Sequence, residues 1–313
     1  MRPEILLVEP MMPEIESRLD ASYQVHRYYA AKDKAAFLKP IAANTRGIAT
    51  GGRLGASKEL IEALPRLEII AINGVGTDAV DMESARIRSV RVTTTPGVLT
   101  NDVADLGMTL LLAVFRQLCT GDRFVRARRW LRNESLPLAY SATGKRLGIF
   151  GLGRIGRAIA QRATGFEMSI AYHDLQPFAD VPYEYEPTLV GLAARSDALI
   201  VAASADAQSR GVVNAAVLDA LGPNGVLINV ARGSIVDEPA LVAALVSGRL
   251  GGAGLDVFVH EPDVPEVLLG LENVVLQPHR ASATIEARRA MGEIVLQNLE
   301  AQFAGKEPPT AVV

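Results

Sequence analysis

The stretch whose reading decides the fold is Lys145–Ala163, KRLGIFGLGRIGRAIAQRA. It starts as a short apolar run, passes through Gly151-x-Gly153-x-x-Gly156, and continues with apolar residues at helical spacing. A strand, a glycine turn and a helix in that order are the context in which this pattern reads as a phosphate cradle rather than a chance turn. Gly151 permits a tight turn, Gly153 lets the backbone approach a pyrophosphate, and Gly156 lets helix and strand pack closely. The N–H groups at the helix start then face the anion. The next apolar run, SIAYHDL from Ser169 to Leu175, stops on Asp174, about 18 residues past Gly156. A carboxylate there accepts hydrogen bonds from the adenosine ribose of NAD and repels the 2′-phosphate of NADP. A plain strand-end cap is the alternative for Asp174. His173, Arg154 and Arg157, near it in sequence, are the cations that would argue for the phosphate. The balance favours NAD(H) over NADP(H).

Around this stretch, β-branched apolar runs alternate with helical patterns, the mark of an α/β protein with parallel sheets. EILLVE, YQVHRYY, RGIATG, LEIIAING and VRVTTTPG read as strands before it. KRLGIF, MSIAYHD, DALIVAA, GVLINVA, GAGLDVF and NVVLQPH form a second series, apolar enough to be buried on both faces. One long amphipathic helix is expected from Asn101 to Ala127, and another from Ala283 to Phe303. The expected organisation is two Rossmann-like domains. A nucleotide-binding domain, 99–282, is inserted into a discontinuous substrate domain, 1–98 and 283–313. The chain would cross between them twice and leave a hinge above a cleft.

Composition narrows the function. The chain has 313 residues, 49% hydrophobic and 21% charged, enough to bury sizeable cores. A net charge of −3 gives no basic footprint for nucleic acid. The single cysteine, Cys119, excludes an internal disulfide and sits in the apolar run LLAVFRQLC, where a buried packing thiol is expected. No Cys/His cluster or HExxH points to a metal, and no GxSxG points to a hydrolase. There is no secretory h-region at the start and no apolar run long enough to span a membrane, so a cytoplasmic location is expected.

In open α/β sheets, ligands sit beyond the carboxyl ends of the strands. Three reactive side chains follow successive strands there: Arg232 after LINVA, Glu261 after LDVFVH, and His279 after VVLQP. A guanidinium grips a carboxylate with two hydrogen bonds. A histidine exchanges a proton near neutral pH, and a neighbouring glutamate favours its imidazolium form. Taken singly, Arg232 reads as a surface ion-pair partner and Glu261 as an ordinary loop start. Their joint placement suits reduction of a 2-oxo acid or oxidation of a 2-hydroxy acid. His260 is the rival for the proton-transfer role, while His26 reads as structural.

GLGRIG, NVARGSIVDE, GAGLDVFVHEP and LQPH, in this order, resemble the D-2-hydroxyacid dehydrogenase family. NGVGTDAVD, TTTPGVLTNDVADLGMTLLLA and DRFVRARRW resemble its glyoxylate/hydroxypyruvate reductase branch, plant hydroxyphenylpyruvate reductases included. The resemblance runs from about Arg46 to Val313. It implies a homodimer, with glyoxylate and hydroxypyruvate as substrates. It implies that Arg232 binds the substrate, that His279 gives a proton to the carbonyl oxygen, and that Glu261 orients and charges His279. Substrate contacts would come from Gly52, Arg53 and Leu54, from the amides of Val75 and Gly76, and from Trp130, which otherwise reads as an interface packing residue. Cofactor contacts would come from Val103, Gly151, Gly153, Arg154, Ile155, Gly156, Asp174, Ala203, Ser204, Val230, Ala231, Asp256 and Ser282.

The chain also departs from the family. The arginine that NADP-dependent members carry after the second strand is replaced by Asp174-Leu175. The Cys-Pro-Leu-Thr-Pro loop reads Ala203-Ser204-Ala205-Asp206-Ala207. Arg280 follows His279 where an apolar residue is usual, which would favour an acidic or larger substrate. The other readings are a dehydrogenase for a bulkier 2-oxo acid and a non-catalytic dinucleotide sensor. A pure sensor has no chemical need for Arg232, Glu261 and His279 together.

Overall fold

The structure is a computed structural model that describes residues 2–313. Among these residues the chain divides into two compact units, one running to Leu99 and resuming at Ser282–Val313, the other Thr100–Ala281. In the first unit the strands are β1 (Glu4–Leu7), β2 (Gln24–Arg27), β3 (Thr45–Gly51), β4 (Ile69–Asn73) and β5 (Arg91–Thr93), in the order β2-β1-β3-β4-β5. All pair in parallel. Parallel pairing forces a crossover after each strand. The helices Lys58–Ala63 and Met82–Ile87, which cross over from β3 and β4, start on their own caps: the side chains of Ser57 and Asp81 accept the N–H groups of Leu60 and Ser84. One face of the sheet packs Ile5, Leu7 and Ile69 against Val295, Leu296 and Leu299 of the helix Ile285–Phe303. That helix also anchors the last residues. Buried Asn298 donates to Thr310 Oγ1 at 2.8 Å, and Thr310 Oγ1 donates to the Thr94 carbonyl at 2.6 Å.

The second unit holds β6 (Arg146–Phe150), β7 (Ser169–His173), β8 (Glu184–Tyr185), β9 (Ala198–Val201), β10 (Val226–Asn229), β11 (Gly252–Leu255) and β12 (Val274–Leu276), in the order β12-β11-β10-β9-β6-β7-β8. From β6 the chain builds outward through β7 and β8, then returns to build the other half from β9. The boundary between β6 and β9 is therefore the switch point, where ligands of doubly wound sheets bind. β9, β10 and β11 are buried along their whole length, which is why their sequences carry no polar alternation. Each Leu, Ile or Val removed from water there contributes about 1.5–3 kcal/mol.

Two expectations need correcting. The helix expected from Asn101 to Ala127 is two, Thr100–Phe115 and Leu118–Arg126, bent by 60°. Gln117 takes a left-handed φ of 50° between them, which ends the i→i−4 ladder. The first half has eight buried residues and lies against β10, β11 and β12. Gly254 permits that approach: a Cβ on it would stand 2.9 Å from Leu110 Cβ. The second half carries Cys119, which is half-buried rather than buried. Among the described residues no single helix is long and apolar enough to cross a membrane.

Candidate active site

At the switch point Gly151 has φ 91°, a left-handed value that side chains disfavour, and a Cβ on it would come within 2.5 Å of Ala203 Cα. The same chain position thus requires glycine twice over. Gly156 is constrained by space alone, since its Cβ would meet the Gly151 carbonyl oxygen at 2.1 Å. Gly153 differs: a Cβ there meets nothing within 4 Å. It caps the helix Arg154–Thr164, whose first turn receives no side-chain cap among the described residues. An open glycine shoulder beside uncapped helix N–H groups fits a pyrophosphate. The exposed Arg154 begins that helix and half-buried Ile155 follows it.

Asp174 lies just past β7, on the same side of the loop. Its Oδ2 accepts the Leu152 N–H at 2.7 Å and its Oδ1 accepts the Leu175 N–H at 2.8 Å. Each oxygen retains lone-pair capacity for a ribose hydroxyl. Beyond β9, the residue that replaces the family's threonine has its own task. Asp206 Oδ1 accepts from Gln208 and Ser209 at 2.9 and 2.7 Å, closing the loop that begins at Ala203-Ser204. Those N–H groups hold the Asp206 carboxyl below the usual range. Val103 and Val230 are buried, Val230 beside Gly107 of the helix Thr100–Phe115.

The reactive residues follow β10, β11 and β12, which are neighbours in the sheet. Arg232 leaves β10 on a turn shaped by buried Asn229. That side chain accepts the Ala231 N–H at 3.0 Å and donates to the Arg232 carbonyl at 2.9 Å. Gly233 then lets the turn press on the segment leading to Glu261, for a Cβ on it would stand 2.0 Å from the Phe258 carbonyl carbon. Glu261 Oε1 accepts the Phe258 N–H at 3.1 Å, and Oε2 meets His279 Nδ1 at 2.7 Å. Burial works against the Glu261 charge. The hydrogen bond and charge of His279, the Phe258 N–H and the charge of Arg232 outweigh it, so the carboxyl sits below its ordinary value. An ionised carboxylate only accepts, so Nδ1 carries the proton in this bond. His260, the rival, is exposed, and Glu261 pairs with His279 instead.

His279 adopts a left-handed φ of 52°, a conformation that costs a non-glycine residue about 1–2 kcal/mol. Asp256, fully buried at the end of β11, holds it there. The Asp256 carbonyl accepts the His279 N–H at 2.8 Å, and its carboxylate accepts the N–H groups of Arg280 and Ala281 at 2.6 and 2.9 Å. Burial pushes the Asp256 carboxyl up, and the two N–H groups bring it only part of the way back. The Arg280 side chain is exposed.

The remaining expected residues lie elsewhere. Gly52, Arg53 and Leu54 follow β3, and Val75 and Gly76 follow β4, in the first unit, which also contains Ser282. Trp130 is 70% exposed, within the short turn of helix Trp130–Arg132. Sequence reading missed two positioning residues. Asn229 shapes the Arg232 turn, and being the one amide in an apolar strand was its only signal. Glu9, just past β1, accepts the Leu54 N–H at 2.7 Å and fills the space that a Cβ on Gly51 would need. Thr50 Oγ1 closes the same loop on the Gly55 carbonyl at 2.8 Å. His26 is structural as expected, paired with Glu4 at 2.8 Å.

With this geometry in view, residues 108–281 match the family model for the D-isomer specific 2-hydroxyacid dehydrogenase NAD binding domain. The chain belongs to the D-isomer specific 2-hydroxyacid dehydrogenase family. It is 47% identical over 309 residues to hydroxyphenylpyruvate reductase of Plectranthus scutellarioides, covering 99% of this chain and 98% of that protein. Glyoxylate/hydroxypyruvate reductase A of Arabidopsis thaliana is 46% identical over 309 residues, with the same coverage. The NADPH-dependent glyoxylate/hydroxypyruvate reductase of Sinorhizobium meliloti, solved with NADP and malonate, superposes with a TM-score of 0.91 at 44% identity, covering 100% of this chain and 97% of that one. The chain is thus an oxidoreductase that interconverts 2-oxo and 2-hydroxy acids with a nicotinamide dinucleotide.

Proposed function

We propose that this dehydrogenase reduces glyoxylate and hydroxypyruvate, the latter to the D-2-hydroxy acid, and favours NADH over NADPH. The observation that carries the assignment of roles is the 2.7 Å contact between His279 Nδ1 and Glu261. With Nδ1 committed to the carboxylate, Nε2 is the atom left to face substrate. It gives its proton to the carbonyl oxygen as C2 receives hydride, and Glu261 stabilises the imidazolium before transfer. Arg232 binds the substrate carboxylate and polarises the carbonyl, which aligns the acid for attack. The bound dihydronicotinamide supplies the hydride. Gly151, Gly153, Gly156 and Arg154 hold the pyrophosphate, and Asp174 holds the ribose. The amides of Val75 and Gly76 would hold the substrate carboxylate, and Gly52, Arg53 and Leu54 would contact the substrate.

The exposed Trp130, Leu131 and Leu138, at 70%, 79% and 96%, support a homodimer built on that segment. The likeness to a hydroxyphenylpyruvate reductase favours a second reading, an aromatic 2-oxo acid as substrate.

Initial rates on glyoxylate, hydroxypyruvate and hydroxyphenylpyruvate, each with NADH and with NADPH, test both readings. The expected result is a higher kcat/KM for the two small acids and for NADH. A higher kcat/KM for the aromatic acid gives the second reading the lead, and a higher value with NADPH overturns the role of Asp174.

A further inference from the structure

Arg157 and Asp174 both contact Leu152, and the Arg157 guanidinium is engaged elsewhere. Its Nε donates to the Leu152 carbonyl at 3.2 Å, and the N–H of the same Leu152 donates to Asp174 at 2.7 Å. A single residue therefore spans the guanidinium and the carboxylate. The two terminal nitrogens of Arg157 grip Asp180 Oδ2 and Oδ1 at 2.8 and 3.0 Å. The guanidinium carbon lies 4.9 Å from the centre of the Phe178 ring. This segment is itself pinned: the Phe178 N–H donates to Tyr172 Oη at 2.7 Å, and Tyr185 Oη donates to the Asp174 carbonyl at 3.3 Å. His173 is also committed, with Nδ1 on the Glu186 carbonyl at 2.9 Å and its ring stacked on Phe150 and Tyr185.

We propose that Asp180 and Phe178 form a latch that withholds Arg157 from the ribose 2′-position, making the Arg157–Asp180 pair a second determinant of NADH over NADPH. This rests on the reading of Asp174 as the ribose ligand. A guanidinium bound on both terminal nitrogens and stacked on a ring has its strongest sites in use. A 2′-phosphate arriving at Asp174 then meets a carboxylate whose neighbour Arg157 is already engaged, while Arg154 is given to the pyrophosphate. The latch is weak by construction, because the Asp180 side chain is 68% exposed and such pairs contribute little in water. One neutral substitution opens it. Arg157 then needs only to rotate its outer torsions to offer a forked donor to a phosphate.

The test is calorimetric binding of 2′,5′-ADP and of 5′-AMP to the wild type, Asp180→Asn, Arg157→Gln and the double variant. Asp180→Asn is expected to bind 2′,5′-ADP about 10-fold tighter than the wild type, the worth of one charge-assisted contact. Its affinity for 5′-AMP is expected to stay within about twofold, which also reports an intact site. The double variant is expected to lose the gain, and Arg157→Gln alone to leave the ratio of the two ligands unchanged. No gain in Asp180→Asn, or a gain that persists in the double variant, overturns the latch. Tighter binding of 2′,5′-ADP than of 5′-AMP by the wild type overturns the Asp174 reading instead, while the shift caused by Asp180→Asn still decides the latch.

Discussion

Two loops follow central strands of their sheets, and each is built around glycine. In Gly151–Gly156 the pattern is local: the turn, the shoulder and the helix start lie within six residues, and Gly156 packs on the Gly151 carbonyl, although Gly151 must also clear Ala203 beyond β9. In Gly51–Gly55 the constraint is remote, because the loop is closed by Glu9, which arrives from the end of β1. The first design can be recognised as a motif. The second can only be seen once β1 and β3 are paired. In the proposed function the first loop serves the cofactor and the second contacts substrate.

Substitutions that separate kcat from KM test that division. The largest effect is expected from His279→Gln, which removes the proton donor: kcat should fall about 10²–10⁴-fold with little change in the dissociation constant of NADH measured by fluorescence. A modest loss of kcat would move the donor elsewhere. Gly151→Ala forces a side chain to within 2.5 Å of Ala203 at a φ of 91°. It should cost about 2–3 kcal/mol of stability in denaturant unfolding and weaken cofactor binding, whereas Gly153→Ala, whose Cβ has room, should keep stability and lose cofactor affinity. Glu9→Ala should raise KM for the 2-oxo acid about 10-fold while leaving cofactor affinity unchanged, and Glu9→Gln should restore most of it, since an amide oxygen also accepts the Leu54 N–H. An unchanged KM in Glu9→Ala would erase the contrast between the loops. The smallest effect concerns acid stability. The Glu261 carboxyl is held low in the folded state, so its pairing stabilises at pH above the ordinary carboxylate value and is lost as pH falls through the depressed one. Melting temperatures between about pH 6 and pH 3 should therefore drop more steeply for the wild type than for Glu261→Gln.

What the sequence made legible follows the same line. The glycine motif, the acid after β7 and the three residues after β10, β11 and β12 could be placed because each sits directly behind a strong apolar run. In a parallel sheet all such ends lie on one edge. Strand β8 was not legible: two residues, Glu184-Tyr185, have no periodicity to read. The break at Gln117 was hidden because the apolar spacing resumes on its far side and no Gly or Pro marks it. Glu9, Asn229 and the Arg157–Asp180 pair were hidden for another reason. Their roles are hydrogen bonds to partners fixed by tertiary structure, and a polar residue in a sequence does not announce its partner. What favours His279 over His260 was hidden in the same way: the contact of Glu261 with His279 Nδ1 depends on the segment after β11 meeting the segment after β12.

The packing of Val295, Leu296 and Leu299 on Ile5, Leu7 and Ile69 bears on how the molecule comes off the ribosome. The strands of the first unit's sheet emerge before Thr100–Ala281, yet the helix that covers one of their faces, Ile285–Phe303, follows it. Between the two events the whole of Thr100–Ala281 is synthesised, and its hydrophobic cluster built on Leu199, Leu227, Ile235 and Leu255 is formed within that span. The inserted unit is therefore able to mature during translation, while the unit begun first waits with an apolar sheet face bare until Ile285–Phe303 is made. That interval, rather than any step within the inserted unit, is where a nascent chain of this enzyme is most exposed to aggregation and most in need of a chaperone.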